Sequence, residues 1–518
     1  MSDPTSNIPP DNDPDRHFRT DHLKADLKGR SVRGGAVTMV SQISKIILNF
    51  GSTAVMARLL TPEDYGLLGM VVIITGFIDL FKDLGLSTAT IQKSEITHKQ
   101  VSTLLWINVA IGFGITVLTI AIAPLVAWFY NEPRLTPIAM VLAIGFIFGS
   151  LTVQHQALLR RQMRFKALSA IDLTSMFVSV IVGIASALML PDKNQYWALV
   201  FARLSMTICN TIGVWILSGW RPGLPDRNSG IGDMLAFGSH ITGFSMLNYF
   251  SRNTDNLLIG WYWGPQELGL YAKAYQLLLL PFQQITVPIS NVALPALSRL
   301  QNEPERYRSY YQKGVLMLVI LGMPLVVLMF VSADKVILTL LGDQWTDAIA
   351  IFRLLAPATF VATFNAAAGW VYTSLRKADR QLRWGIFTAV VDLIAFTIGV
   401  RWGAIGVATA YSISRILTRY PAIHYCYKAT FLNVTDLDAV IWKPALASVL
   451  AGAALFGVDY LILFTQNPAI GLAIDFIIYT LFYILAWSIL PNGWQTLRGI
   501  VQLIKTLRSK PKEAGNAN

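Results

Sequence analysis

The residues of this chain with chemistry to offer lie inside apolar runs. Gln42, Lys45, Asn49, Ser52 and Thr53 recur at i, i+3 and i+4 spacing, which lines them along one face of a helix. Ser245, Asn248, Arg252, Asp255 and Asn256 repeat that stripe far down the chain. An ionisable side chain within a membrane-length apolar run is costly and marks a water-filled path or a ligand site. Lys45 and Arg252, the cations on these stripes, are therefore the first candidates for substrate contact, Arg with a fork of donors that can engage two acceptors at once. Asn49 and Asp255 accompany them as substrate-facing polar groups. A plainer reading competes in each case. Arg252 could pair with Asp255 one turn away, and Lys45 could carry its ammonium out to the interface. Lys273 and Arg58 stand in the same way between substrate contact and interfacial anchoring.

Asp79, Lys82 and Asp83 share one helical face near the end of an apolar run. That cluster suits a gate, or a carboxylate that couples transport to protons or sodium. The plainer alternative is a local charge cluster at a helix end. Asp172 and Asp392 read as structural first and as coupling groups second. The basic loops Arg160–Lys166 and Arg376–Arg383 could collect an anionic lipid headgroup, or simply set topology. Asp436-Leu-Asp438 has the DxD form with which some glycosyltransferases hold a metal–nucleotide sugar, but no soluble catalytic domain surrounds it. The sequence contains no P-loop lysine motif, and its six histidines are scattered without ligand spacing. Cys209 and Cys426 form no CxxC and read as packing residues. No catalytic residue, metal or cofactor is therefore expected.

The apolar runs are what must position these groups. Hydrophobic residues make up 54% of the 518 positions and charged ones only 14%, where a soluble domain carries about 25%. The runs are about 20 residues long, enough to cross a hydrocarbon core. Spans are expected to begin near Ala36, Leu67, Val101, Leu135, Ala167, Tyr196, Met234, Leu268, Tyr311, Ala348, Trp384, Ala404, Ile441 and Pro468. The fold class is thus an all-α polytopic membrane protein with about fourteen transmembrane helices. The span from Trp384 is short, with only Arg401–Gly403 before the next. The net charge of +12 does not point to nucleic acid, because Lys and Arg crowd alternate loops. The opposite loops offer only Arg58, Arg134, Lys193, Lys335 and Arg401, which places both termini in the cytoplasm. Residues 1–30 lack an apolar h-region and read as a disordered cytoplasmic tail. Residues 491–518 read as a basic amphipathic cytoplasmic tail, with Trp494, Leu497, Val501 and Ile504 on one side and Arg498, Lys505 and Arg508 on the other.

An internal repeat organises the spans. Thr61–Gly69 reads TPEDYGLLG, and the stretch from Gly264 reads GPQELGLYA. Setting Pro62 on Pro265 also sets Asp64 on Glu267, Gly66 on Gly269 and Leu67 on Leu270. The same offset superposes the two polar stripes. An even number of spans separates the copies, so the repeat is parallel. This divides the chain into a first lobe over residues 31–218, a second over 233–425, and two further spans over 441–490. Matching polar faces on equivalent helices imply a central cavity between two six-helix bundles.

Several segments carry a family resemblance, read in their order and spacing. They are Arg58-Leu-Leu-Thr-Pro-Glu-Asp-Tyr-Gly66, Asn253-Thr-Asp-Asn-Leu-Leu-Ile-Gly260, Leu268-Gly-Leu-Tyr-Ala-Lys-Ala-Tyr275, Leu280-Pro-Phe-Gln-Gln284, Leu341-Gly-Asp-Gln-Trp345 and Gly403-Ala-Ile-Gly-Val-Ala408. From about Gly29 to about Tyr425 the chain resembles the polysaccharide-exporter branch of the multidrug/oligosaccharidyl-lipid/polysaccharide superfamily, and within it Wzx-type flippases of the colanic-acid-exporter kind. It departs at Trp261-Tyr-Trp263, where relatives commonly carry Arg-Phe-Leu. The resemblance implies two six-helix lobes in a V with two added C-terminal helices. It implies alternating-access flipping of undecaprenyl-pyrophosphate-linked oligosaccharide across a bacterial inner membrane, for exopolysaccharide, capsule or O-antigen synthesis. The expected partners are that lipid-linked substrate, membrane lipids and other polysaccharide assembly proteins. The alternatives are a cation-coupled multidrug exporter of the same superfamily and, more remotely, a membrane polysaccharide polymerase or ligase.

Overall fold

The computed structural model describes Phe18, residues 27–461 except 94, 227–229 and 429, residues 467–491 and 493–495, and residue 498. The side chains of residues 27–39, 233–248 and 250–251 are not described. The expected N-terminal tail therefore lies outside the described residues, save Phe18 and the first helical residues from Leu27. Most of the expected C-terminal amphipathic segment does too. Ser245 and Asn248 of the second polar stripe have no described side chains.

Every regular element among the described residues is helical. In order these are α1 (Leu27–Leu59), α2 (Pro62–Asp83), the short α3 (Leu86–Gln92), α4 (His98–Tyr130), α5 (Leu135–Arg161), α6 (Phe165–Met189), α7 (Tyr196–Ser218) and α8 (Gly232–Arg299). Then follow α9 (Pro304–Val331), α10 (Ala333–Leu340), α11 (Ala348–Ser374), α12 (Ala378–Gly399), α13 (Gly403–Tyr427), α14 (Val434–Leu461) and α15 (Pro468–Ile489). α8 breaks at Gly264, whose φ of 81° and ψ of −170° suit glycine alone. Counting its two arms separately and leaving out the short α3 and α10 gives fourteen spans. α12 begins at Ala378 and so gains the length that the span expected from Trp384 lacked.

The ends are written locally. Thr61 and Asp64 form a capping box at the start of α2, with Pro62 in its first turn. Thr97 and Gln100 do the same for α4, and Asn467 caps α15 ahead of Pro468. Large apolar side chains such as Phe113, Trp128, Leu417 and Leu481 remain exposed. Water would penalise that arrangement and lipid does not.

The chain forms two units, residues 1–272 with 340–344, and 273–339 with 345–518. In the first, α4 packs along α5, α6 along α7, α5 on α7 and α1 on α6. The repeated turns meet here face to face. A Cβ on Gly66 would lie 1.7 Å from the Pro265 carbonyl oxygen, and a Cβ on Gly269 would lie 1.8 Å from that of Pro62. The two copies thus bury their glycines against each other's proline reciprocally, as a local two-fold requires. In the second unit, α11 packs on α13, α9 on α14, α12 on α13 and α14 on α15. Its largest core joins Tyr307, Tyr311, Leu318, Phe364, Trp370 and Tyr427, with the Tyr311 and Tyr427 hydroxyls 2.8 Å apart.

Candidate functional site

The capping box fixes the start of α2, and helical spacing then brings Thr75, Asp79 and Lys82 to one face. That face borders a pocket in the first unit. α7 contributes Arg203 and Thr207, four residues apart, and α5 contributes Gly145 and Phe146. The Lys82 ammonium lies 2.7 Å from Asp79 Oδ1. Its stem runs across Gly149, where a Cβ would meet it at 3.1 Å. Arg203 is exposed. The hydroxyl of Tyr249 lies over Gly76 and donates to the Ile73 carbonyl at 2.8 Å, so the first arm of α8 is fastened beside the pocket. Two cations, one carboxylate and two threonine hydroxyls therefore line one cavity with an excess of one positive charge. Such a lining can hold a phosphate through charge-assisted hydrogen bonds and sugar hydroxyls through neutral ones.

Of the expected gating cluster, Asp79 and Lys82 are joined, whereas Asp83 turns to α3. There it accepts from the backbone N–H of Ser87 at 2.9 Å and from its hydroxyl. Lys45 pairs with Asp172 at 2.6 Å, tying α1 to α6. Asn49 is half-buried on α1. Arg252 is exposed, while Asp255 is buried and accepts from the Tyr271 hydroxyl at 2.9 Å. Lys273 donates to Gln276 at 3.2 Å. Arg58 is exposed at the end of α1, its stem beside Gly342, and Gln344 donates to the Leu60 carbonyl at 2.8 Å. Asp392 is buried against Arg415 and accepts from Ser414 at 3.1 Å. In the basic loops, Arg161 donates to the carbonyls of Thr90 and Ile91 at the end of α3. Arg380 donates to Tyr425 at the end of α13. The DxD carboxylates are each engaged, Asp436 with Arg308 at 3.2 Å and Asp438 with Arg419 at 3.4 Å. Among the described residues no cluster suits a metal ion. Cys426 is buried and Cys209 half-buried, neither in a disulfide.

Sequence reasoning passed over Arg203, although an Arg inside an apolar run is the same signal that singled out Arg252. It also passed over a buried cluster in the second unit. Lys335 lies 2.6 Å from Asp475 and 2.9 Å from Asp459, and Ser332 donates to Asp475 at 2.6 Å. The two carboxylates offset the cost of burying the Lys335 ammonium. Outside the spans, Arg134 bridges Glu63 at 2.5 Å and Glu132 at 2.8 Å. That hydrogen bond outweighs burial and holds the Glu132 carboxyl below its usual pKa.

Fourteen spans and a charged cavity define a polytopic membrane transporter. The architecture matches a solved lipid II flippase, MurJ, in an inward closed conformation, at a TM-score of 0.71 and 15% identity, over 88% of this chain and 98% of that one. The chain belongs to the polysaccharide biosynthesis protein family, whose model matches residues 55–350. It is similar to the lipopolysaccharide biosynthesis protein WzxC of Escherichia coli (strain K12), 23% identical over 82% of this chain and 89% of that one. It is also similar to the teichuronic acid biosynthesis protein TuaB of Bacillus subtilis (strain 168), 26% identical over 82% and 88%.

Proposed function

We propose that this protein is a flippase that moves undecaprenyl-pyrophosphate-linked oligosaccharide across a bacterial inner membrane, for assembly of a surface polysaccharide. The observation that carries this reading is the pocket that sets Arg203 and Lys82 beside Asp79 with a net positive charge. A pyrophosphate is the anionic end of such a substrate and needs cations in a cavity closed to hydrocarbon. Asp79 holds Lys82 while the pocket is empty and yields it when phosphate arrives. The hydroxyls of Thr75 and Thr207 donate to the Val71 and Arg203 carbonyls, which leaves their oxygens to accept from the substrate's hydroxyls. Arg252, exposed on the first arm of α8, is a second phosphate contact, and Lys45, Asn49, Asp255, Lys273 and Arg58 serve the same path. Alternating access then carries the head across while the lipid tail stays in the bilayer. The excess of Lys and Arg on one set of loops supports a topology with both termini in the cytoplasm, where other assembly proteins would deliver the substrate.

The test is flipping in proteoliposomes, read as the appearance of the lipid-linked oligosaccharide at the opposite leaflet. A hydrogen bond to a charged group contributes about 1.5–3 kcal/mol. Arg203→Gln and Lys82→Gln should therefore each slow flipping by about tenfold to a hundredfold. Wild-type rates in both variants would refute the assignment. Retained export of a cationic drug with no flipping would favour the exporter reading instead.

A further inference from the structure

The second unit holds a groove of quite different character. It lies between α9, α11, α13 and α14. Val326 and Phe330 line it from α9, Pro357 and Phe360 from α11, and Val449 from α14. The one charged group on its wall is Arg419 of α13. The guanidinium lies 4.5 Å from the ring centre of Phe364 and 4.8 Å from that of Tyr420. It reaches Asp438 at 3.4 Å, in the second turn of α14. Arg419 thus carries its charge from within α13 toward the membrane face where α13 ends and α14 begins. Asp438 engages one terminal nitrogen only. The Nε of Arg419 is buried and has no hydrogen-bond partner among the described residues. A guanidinium presents five donors, and a buried donor left without an acceptor is costly. A cation on the wall of an otherwise apolar trough complements one kind of molecule, a chain-bearing phosphate.

We propose that this groove is a binding site for an anionic phospholipid of the bilayer, its phosphate on Arg419 and one acyl chain in the trough. A lipid-linked glycan does not suit it. Beyond Arg419 the wall offers no polar side chain to receive sugars, so the headgroup that fits is one that stays at the membrane face. The site does not depend on which substrate is carried, and it stands or falls apart from the proposed flippase activity.

The test is native mass spectrometry of the delipidated full-length protein titrated with phosphatidylglycerol or phosphatidylcholine. One phosphatidylglycerol should bind per chain at this site, and phosphatidylcholine should bind at least about tenfold more weakly. Arg419→Gln should remove the preference for phosphatidylglycerol. Val449→Trp, which fills the trough and keeps the charge, should weaken binding of both lipids. Asp438→Asn, which frees the guanidinium, should tighten phosphatidylglycerol binding and keeps the test decisive if the Arg419 variant does not fold. Equal retention of the two lipids by the wild-type protein would overturn the proposal. So would wild-type phosphatidylglycerol binding in Val449→Trp and Asp438→Asn, or displacement of phosphatidylglycerol by a polyprenyl phosphate at equal concentration.

Discussion

Adding a single methyl group to either repeated turn should open their crossing. At Gly66 the new Cβ would lie 1.7 Å from the Pro265 carbonyl oxygen and 2.4 Å from its carbon; at Gly269 it would lie 1.8 Å from the Pro62 oxygen. Real Cβ contacts essentially never fall below 3.0 Å, so the opposing backbone must retreat by about 1.3 Å or 1.2 Å. Neither obstacle is a flexible side chain that could swing aside. Forcing extra atoms into such a contact costs about 1–3 kcal/mol, which multiplies the population of the parted state by about 5 to 150. The two lesions share one crossing, so Gly66→Ala with Gly269→Ala should cost less than the sum of the single changes. Leu67 is fully buried beside the crossing and makes a reporter. With Cys209 and Cys426 replaced, a cysteine at position 67 should react with a water-soluble maleimide faster by that factor in either alanine variant. An unchanged labelling rate in both would show that the crossing does not hold the two turns together, and the reasoning would fail.

Two further outcomes follow from the ion pairs. Lys335→Met strands the fully buried Asp475 and should cost about 3–5 kcal/mol, with much of it recovered by adding Asp475→Leu, as read by thermal unfolding of the single and double variants. Glu132 has a depressed pKa, so its contribution is fully present above its unfolded value of about 4.3 and is lost as pH falls through the lower folded value. Glu132→Gln should therefore lower the melting temperature at neutral pH and flatten its fall on acidification. A parallel decline in both proteins would count against the Arg134 pairing.

The spans were legible because bilayer thickness imposes one length on all of them. Their starts were legible where a cap writes itself in adjacent residues, as with Thr61 and Asp64. The repeat was legible because Pro62–Gly66 and Pro265–Gly269 share a spacing, but spacing alone did not say that each glycine meets the other's proline. Partner choice was the hidden layer. Asp255 lies one turn from Arg252, yet it accepts from Tyr271. Lys45 and Asp172 are far apart in sequence and sit on different helices, and so are Lys82 and Arg203 around one pocket. Helical periodicity ranks faces within one helix and carries no information about which helix lies opposite. The DxD shows the converse, since its two carboxylates sit close in sequence and serve separate arginines.

The salt cluster around Lys335 also constrains how the chain is built. Asp475 follows Lys335 by 140 residues and ends with none of its side chain exposed, in the first half of α15. A bare carboxylate entering hydrocarbon is penalised, so Asp475 enters partnered by the Lys335 ammonium while α14 and α15 pack their apolar faces on α9. Synthesis must therefore present Lys335 first and keep it reachable. A chain that stops before α14 leaves the Lys335 ammonium without either of its carboxylates, Asp459 and Asp475.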